Sequence, residues 1–142
     1  MATPVLASPV DVTIDVESSK VAYLTLLNAQ RGLMGIPSVE RIEALEIESQ
    51  AHSDDMAMGR TTFGHEGFSL RCSNARAKLP KANGCGEIVA WGQKSAQGVF
   101  DAWMNSPHHH DCMLAVKYNK VGVGIAQRED GRLYWGALFM QQ

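Results

Sequence analysis

Apolar residues recur along this chain at two spacings, and the change from one to the other marks its organisation. Val21, Leu24, Leu27 and Met34 keep roughly helical spacing behind Ser18 or Ser19 as N-cap, with Gly35 and then Pro37 as the stop, which predicts a first helix. Ser38 is placed to cap a second, longer helix running to about Gly59, with Ile42, Leu45, Ala51 and Met56 as its apolar contacts. Its acidic first half, with Glu40, Glu43, Glu46 and Glu48 in water, suits the positive end of the helix dipole. Positions 60–86 sustain neither period and read as a long loop, which inside a compact domain is usually functional. Residues 87–92 read as a short strand. Behind Ser95, Ala96, Val99, Phe100, Trp103 and Met104 form the cleanest amphipathic helix in the sequence, expected to pack Val99, Phe100 and Trp103 on a strand over 121–126. Pro107 breaks it, and a short helical turn is expected at Cys112, Met113 and Leu114. The segments VGVGIAQ and LYWGALF, joined by Glu129, Asp130 and Gly131, predict a closing hairpin. Helices first and paired strands last imply an α+β sandwich with an antiparallel sheet.

A length of 142 residues with 45% hydrophobic and 20% charged positions fits one globular domain. A chain of this size buries about 68% of its surface, so its core needs neither metal nor disulfides to hold. The 13 basic against 15 acidic residues leave a net charge of -2, without the basic field that a general nucleic-acid binder needs. No apolar stretch approaches the roughly 18 residues of a membrane span, and the opening at Met1 lacks the pattern of an export signal. Residues 1–18 have no helical period and read as an N-terminal arm or the remnant of a trimmed export segment, leaving 19–142 as a single domain.

Three residues are candidates for chemistry. His65 lies in the long loop, Glu87 opens the short strand, and His109 sits within the triplet His108, His109 and His110. Two imidazoles and a carboxylate from distant segments can form an open three-ligand zinc site with a water in the fourth position. Spacing alone does not distinguish that site from loop histidines and a solvated glutamate, since HExxH, CxxC and GxSxG are all absent. Three adjacent rings on a regular element cannot all face one ion. Of the three cysteines, Cys72 and Cys85 bracket the loop, where a bridge would contribute about 3 kcal/mol in the chain-entropy model; three free thiols are the plainer alternative. Cys112 adjoins Met113 and Leu114 and reads as a small buried hydrophobe, while His52 reads as a core-edge residue held by one hydrogen bond. Trp91, Trp103 and Trp135 read as core.

Taken in order, LNAQRGLMG, AHSDDMA, FGH, the pair Gly86 and Glu87, WMNSPHHHDCML and YNKVGVGIA resemble the bacterial branch of the CAP superfamily. That superfamily unites cysteine-rich secretory proteins, insect-venom antigen 5 and plant pathogenesis-related proteins of class 1. The resemblance implies a three-layer α-β-α sandwich with a central antiparallel sheet, and a secreted or periplasmic setting in which Cys72 and Cys85 are bridged. It also implies a cleft built on His65, Glu87 and His109 that holds a divalent metal such as zinc and takes a small molecule, lipid or peptide. The family's second acid falls on Ser106, and His108, His110 and Asp111 depart from the bacterial pattern, so the choice of second histidine stays open within the triplet. Metal-dependent hydrolysis of peptides or cell-envelope polymers, and a purely structural or interaction role, are the alternatives.

Overall fold

The computed structural model describes residues 14–142. Most of the arm expected over 1–18 therefore lies outside the described residues, and its end is helical. The first helix, α1 (Val16–Leu33), is capped three or four residues earlier than the expected Ser18 or Ser19, because the Asp15 carboxylate accepts from Ser18 N–H and takes the capping role. Its buried face is Lys20, Tyr23, Leu27 and Arg31, whereas Val21 and Met34 are exposed. The chain then extends through β1 (Glu40–Arg41) into α2 (Glu43–Ala57), so the expected Ser38 cap falls in extended chain. α2 buries Leu45, Ser49, His52, Ser53 and Met56, and leaves Ala51 exposed.

The expected long loop holds a helix, α3 (Phe68–Lys78). Its inward stripe is Arg71, Cys72 and Ala75, one charged and two small residues, which carry little hydrophobic signal. β2 (Asn83–Trp91) begins earlier than residue 87. α4 (Ala96–Met104) matches its expected range and is capped by Ser95 Oγ on Gly98 N–H. α5 (Pro107–Met113) is longer than the expected turn, with Pro107 in its first turn, where no N–H partner is needed. β3 (Lys120–Gln127) and β4 (Leu133–Gln141) form the closing hairpin.

The sheet order is β1-β3-β4-β2. β2, β3 and β4 pair antiparallel as expected, and the two-residue β1 adds a parallel edge to β3. One face carries α1, α4 and α5 over Val121, Val123, Ile125, Trp135 and Phe139; the other carries α2 and α3 over Leu138 and Met140. The three-layer arrangement follows from strand alternation, which sends Val and Ile of β3 to one side and its glycines to the other.

Trp103 is 2% exposed, meets Tyr23 edge-on at 5.3 Å between ring centroids, and donates its indole N–H to Val89 C=O. Trp103→Ala is expected to cost about 3 to 5 kcal/mol through the cavity it leaves. Denaturant unfolding reads this directly, and a midpoint equal to the parent's would contradict the packing. Trp135 is likewise buried, but Trp91 is 46% exposed beneath the Arg132 guanidinium and is no part of the core.

Candidate functional site

Among the described residues β2 pairs only with β4, and its other edge faces a cleft of about 620 Å³. The 64–68 segment supplies one wall, with His65 and Phe68. α5 and the chain beyond it supply the other, with His108, Asp111, Cys112, Lys117 and Tyr118, while Gly86 and Glu87 form the floor. Three local devices fix this arrangement. His52, 4% exposed, shares a 2.7 Å hydrogen bond with Gly64 C=O and so ties the loop to α2. The Cys72–Cys85 disulfide ties α3 to the start of β2. A fully buried Arg31 donates to the carbonyls of Met113, Ala115 and Tyr118 behind the α5 wall.

The candidate carboxylate is held from two sides. Arg71 donates to Glu87 Oε2 at 2.6 Å and Oε1 at 2.7 Å, and His65 Nδ1 lies 2.9 Å from Oε1. Arg71 is itself 8% exposed, so its guanidinium neutralises a Glu87 side chain that is only 3% exposed. A Nδ1–H donated to this carboxylate fixes the His65 tautomer and leaves its Nε2 lone pair free.

The structure thus brings His65 and Glu87 into contact and places the triplet opposite them on α5. Within the triplet, His108 lines the cleft, while His109 is hydrogen-bonded to Ser106 Oγ at 2.8 Å and lies over Trp103. Ser106, where the resemblance would place an acid, supplies a hydrogen-bond partner for an imidazole without adding charge. Burial, then the nearby His108 and His65, push the His109 ring below the usual histidine value and favour its neutral form. Among the described residues no three of His, Cys, Asp and Glu are placed to hold one metal ion jointly. Both Glu87 oxygens are occupied by Arg71, which fits an orienting role better than a ligating one.

Three residues in or beside the cleft are not among the candidates for chemistry that the sequence offers. Arg71 lies on α3, in the stretch that sustains neither period. Tyr118 is 6% exposed with its hydroxyl next to Gly86, and Cys112 Sγ lies beside the same glycine. A Cβ at Gly86 would fall 2.7 Å from the Tyr118 hydroxyl and 3.0 Å from Cys112 Sγ, so this position is glycine for space. Cys112 is a free thiol, and burial pushes it up to about 12, which keeps it protonated near neutral pH.

Comparison with known proteins agrees with this architecture. An uncharacterised Bacillus subtilis protein, YkwD, is 29% identical over 133 residues, covering 87% of this chain and 50% of its own length, so the chain spans about half of that relative. An outer surface protein of Borrelia burgdorferi superposes with a TM-score of 0.78 at 22% identity, over 91% of this chain and 96% of its own. An extracellular protein of Bacillus anthracis with an SCP domain gives 0.72 at 18% identity, over 96% and 45%. The cysteine-rich secretory protein (CAP) family matches residues 24–139, and with the fold and cleft described above this chain belongs to that family.

Proposed function

We propose that this domain works outside the cytoplasm as a ligand-binding module, and that its cleft holds a divalent cation through imidazole nitrogens. The observation that carries the reading is the Arg71–Glu87–His65 chain of contacts at the cleft floor. A buried carboxylate, already neutralised by Arg71, orients a half-exposed imidazole and leaves its Nε2 free to ligate from the cleft side. A cation such as Zn²⁺ would be held by His65 together with an imidazole of His108 or His109, with Glu87 as orienting residue; bound there, it would polarise an oxygen of a ligand. The Cys72–Cys85 bridge suits an oxidising compartment, as do the extracellular and outer-surface relatives. Hydrolysis is the weaker reading. The one cleft thiol is protonated, and no base contacts it among the described residues.

Calorimetric titration with Zn²⁺ tests this. One weak site is expected, lost in His65→Ala, lost when His108 and His109 are both replaced by Ala, and weakened in Glu87→Gln. Binding should decline on acidification, since a protonated imidazole has lost the ligating lone pair, and the lowered value of His109 extends the range over which that ring stays neutral. If a variant lacking His65 and the whole 108–110 triplet binds Zn²⁺ as the parent does, the reading fails and a structural or interaction role replaces it.

A further inference from the structure

Among the described residues the floor of the cleft is an open strand edge, and the direction of its main-chain groups follows from three contacts. Gly92 N–H donates to Leu133 C=O of the paired side, and Ile88 C=O lies next to Gly136 of β4, so even-numbered residues of β2 turn toward β4. Val89 C=O accepts from the Trp103 indole on α4, away from β4, as an odd-numbered residue must in an antiparallel ladder. Glu87 is odd. Its N–H and C=O therefore turn away from β4 and into the cleft. Exposure agrees: Glu87 as a whole is partly exposed although its side chain is only 3% exposed, so what solvent touches is mainly its main chain. Further along, the indole of Trp103 covers this edge at Val89; at Glu87 the edge is left open to the cleft.

An open edge at the floor of a walled cleft is a template for another extended chain. The charge balance says which end enters. Glu87, at the floor, is neutralised by Arg71, and Asp111 on the α5 wall is turned mostly to solvent, whereas Lys117 lies over the Tyr118 ring with no carboxylate in ion-pair range among the described residues. The Tyr118 hydroxyl also faces the cleft without a hydrogen-bond partner among the described residues, though its residue is 6% exposed. We propose that the cleft takes a short extended peptide, added to the edge of β2 through the Glu87 main-chain N–H and C=O, with its C-terminal carboxylate toward Lys117. This rests on the cleft-binding reading and names its ligand class. A volume of about 620 Å³ is that of a small-ligand site and limits the occupant to a few residues.

The test titrates the isotope-labelled domain, by amide hydrogen exchange and chemical shift, with a library of tetrapeptides bearing free carboxylates. Binding peptides should slow exchange at Glu87 by at least about tenfold and leave Gly86 and Ile88, already paired with β4, unchanged. N-methylation of single peptide amides should weaken binding about tenfold at alternate positions only, because one edge of an added strand faces β2 at every second residue. Lys117→Gln should weaken binding of the free acids and leave their C-terminal amides unaffected. Peptides that bind with no protection at Glu87 and no alternation, or a library from which nothing binds, would overturn the proposal. Zn²⁺ binding at the histidines together with no peptide binding would leave the metal reading standing and this one refuted; protection at Glu87 without Zn²⁺ binding would do the reverse.

Discussion

Arg31→Met is expected to destabilise the domain by at least about 3 kcal/mol and to lower the melting temperature by roughly 10 °C. Arg31 has no exposed surface and, among the described residues, no carboxylate partner. Its guanidinium donates instead to four carbonyls, those of Pro37 at 2.8 Å, Met113 at 2.7 Å, Ala115 at 3.2 Å and Tyr118 at 2.8 Å. The last three belong to the end of α5 and the chain after it, where helix carbonyls lack partners and a cation is favoured. Burial lowers the guanidinium from its usual value, but that value is so high that the charge remains. Methionine fills similar volume with no donor, so the loss reports the four acceptors and not a cavity. Arg31→Lys should recover part of it, since one ammonium cannot reach all four. Because these carbonyls flank Cys112, Lys117 and Tyr118, the variant should also weaken Zn²⁺ binding in the cleft. A midpoint within two degrees of the parent would show that water replaces the guanidinium without cost.

The position of Arg31 explains why some of this fold was legible in the sequence and some was not. Where burial is apolar, the pattern reads correctly: Val99, Phe100 and Trp103 on α4 and the alternating Val and Ile of β3 are where their spacing places them. On α1 the buried stripe includes Lys20 and Arg31, so the apolar pattern points to Val21 and Met34, which lie on the wet side. α3 was missed for the same reason. Phe68, Cys72, Ala75 and Leu79 keep a helical interval, but two of them are small, and Arg71 on the same side reads as polar. The cleft was legible by resemblance as His65, Glu87 and a histidine of the triplet. What pins Glu87 is not, because Arg71 reaches it across the fold from a segment taken for a loop. Nor did the sequence show which ring of the triplet faces the cleft, since that depends on where α5 starts, and Pro107 sets that start.

The glycines of β3 carry the other large effect. Gly122 and Gly124 alternate with Val121, Val123 and Ile125, and neither adopts a positive φ, so the backbone conformation itself would accept alanine. Space would not. A Cβ at Gly124 would overlap main-chain atoms of Ser49 and Gln50, and one at Gly122 those of Leu45 and Glu46. The axis of α2 therefore lies closer to the sheet than side chains permit, and Gly136 of β4 completes the seat with Ser49 and Ser53 against it. This explains why α2 buries serines where a helix usually buries leucine. Gly124→Ala is expected to cost about 3 kcal/mol or more, at the upper end of overpacking, because main chain cannot rotate away as a side chain can. Gly32→Ala gives the opposite sign as a control. That position is helical with nothing near its Cβ, so alanine should stabilise by up to about 1 kcal/mol. Combining Gly124→Ala with Ser49→Gly discriminates the cause: removing the Ser49 side chain should recover nothing if the obstruction is the α2 backbone. Recovery of more than half the lost stability in that double variant would place the conflict in side chains and refute the close seating of α2.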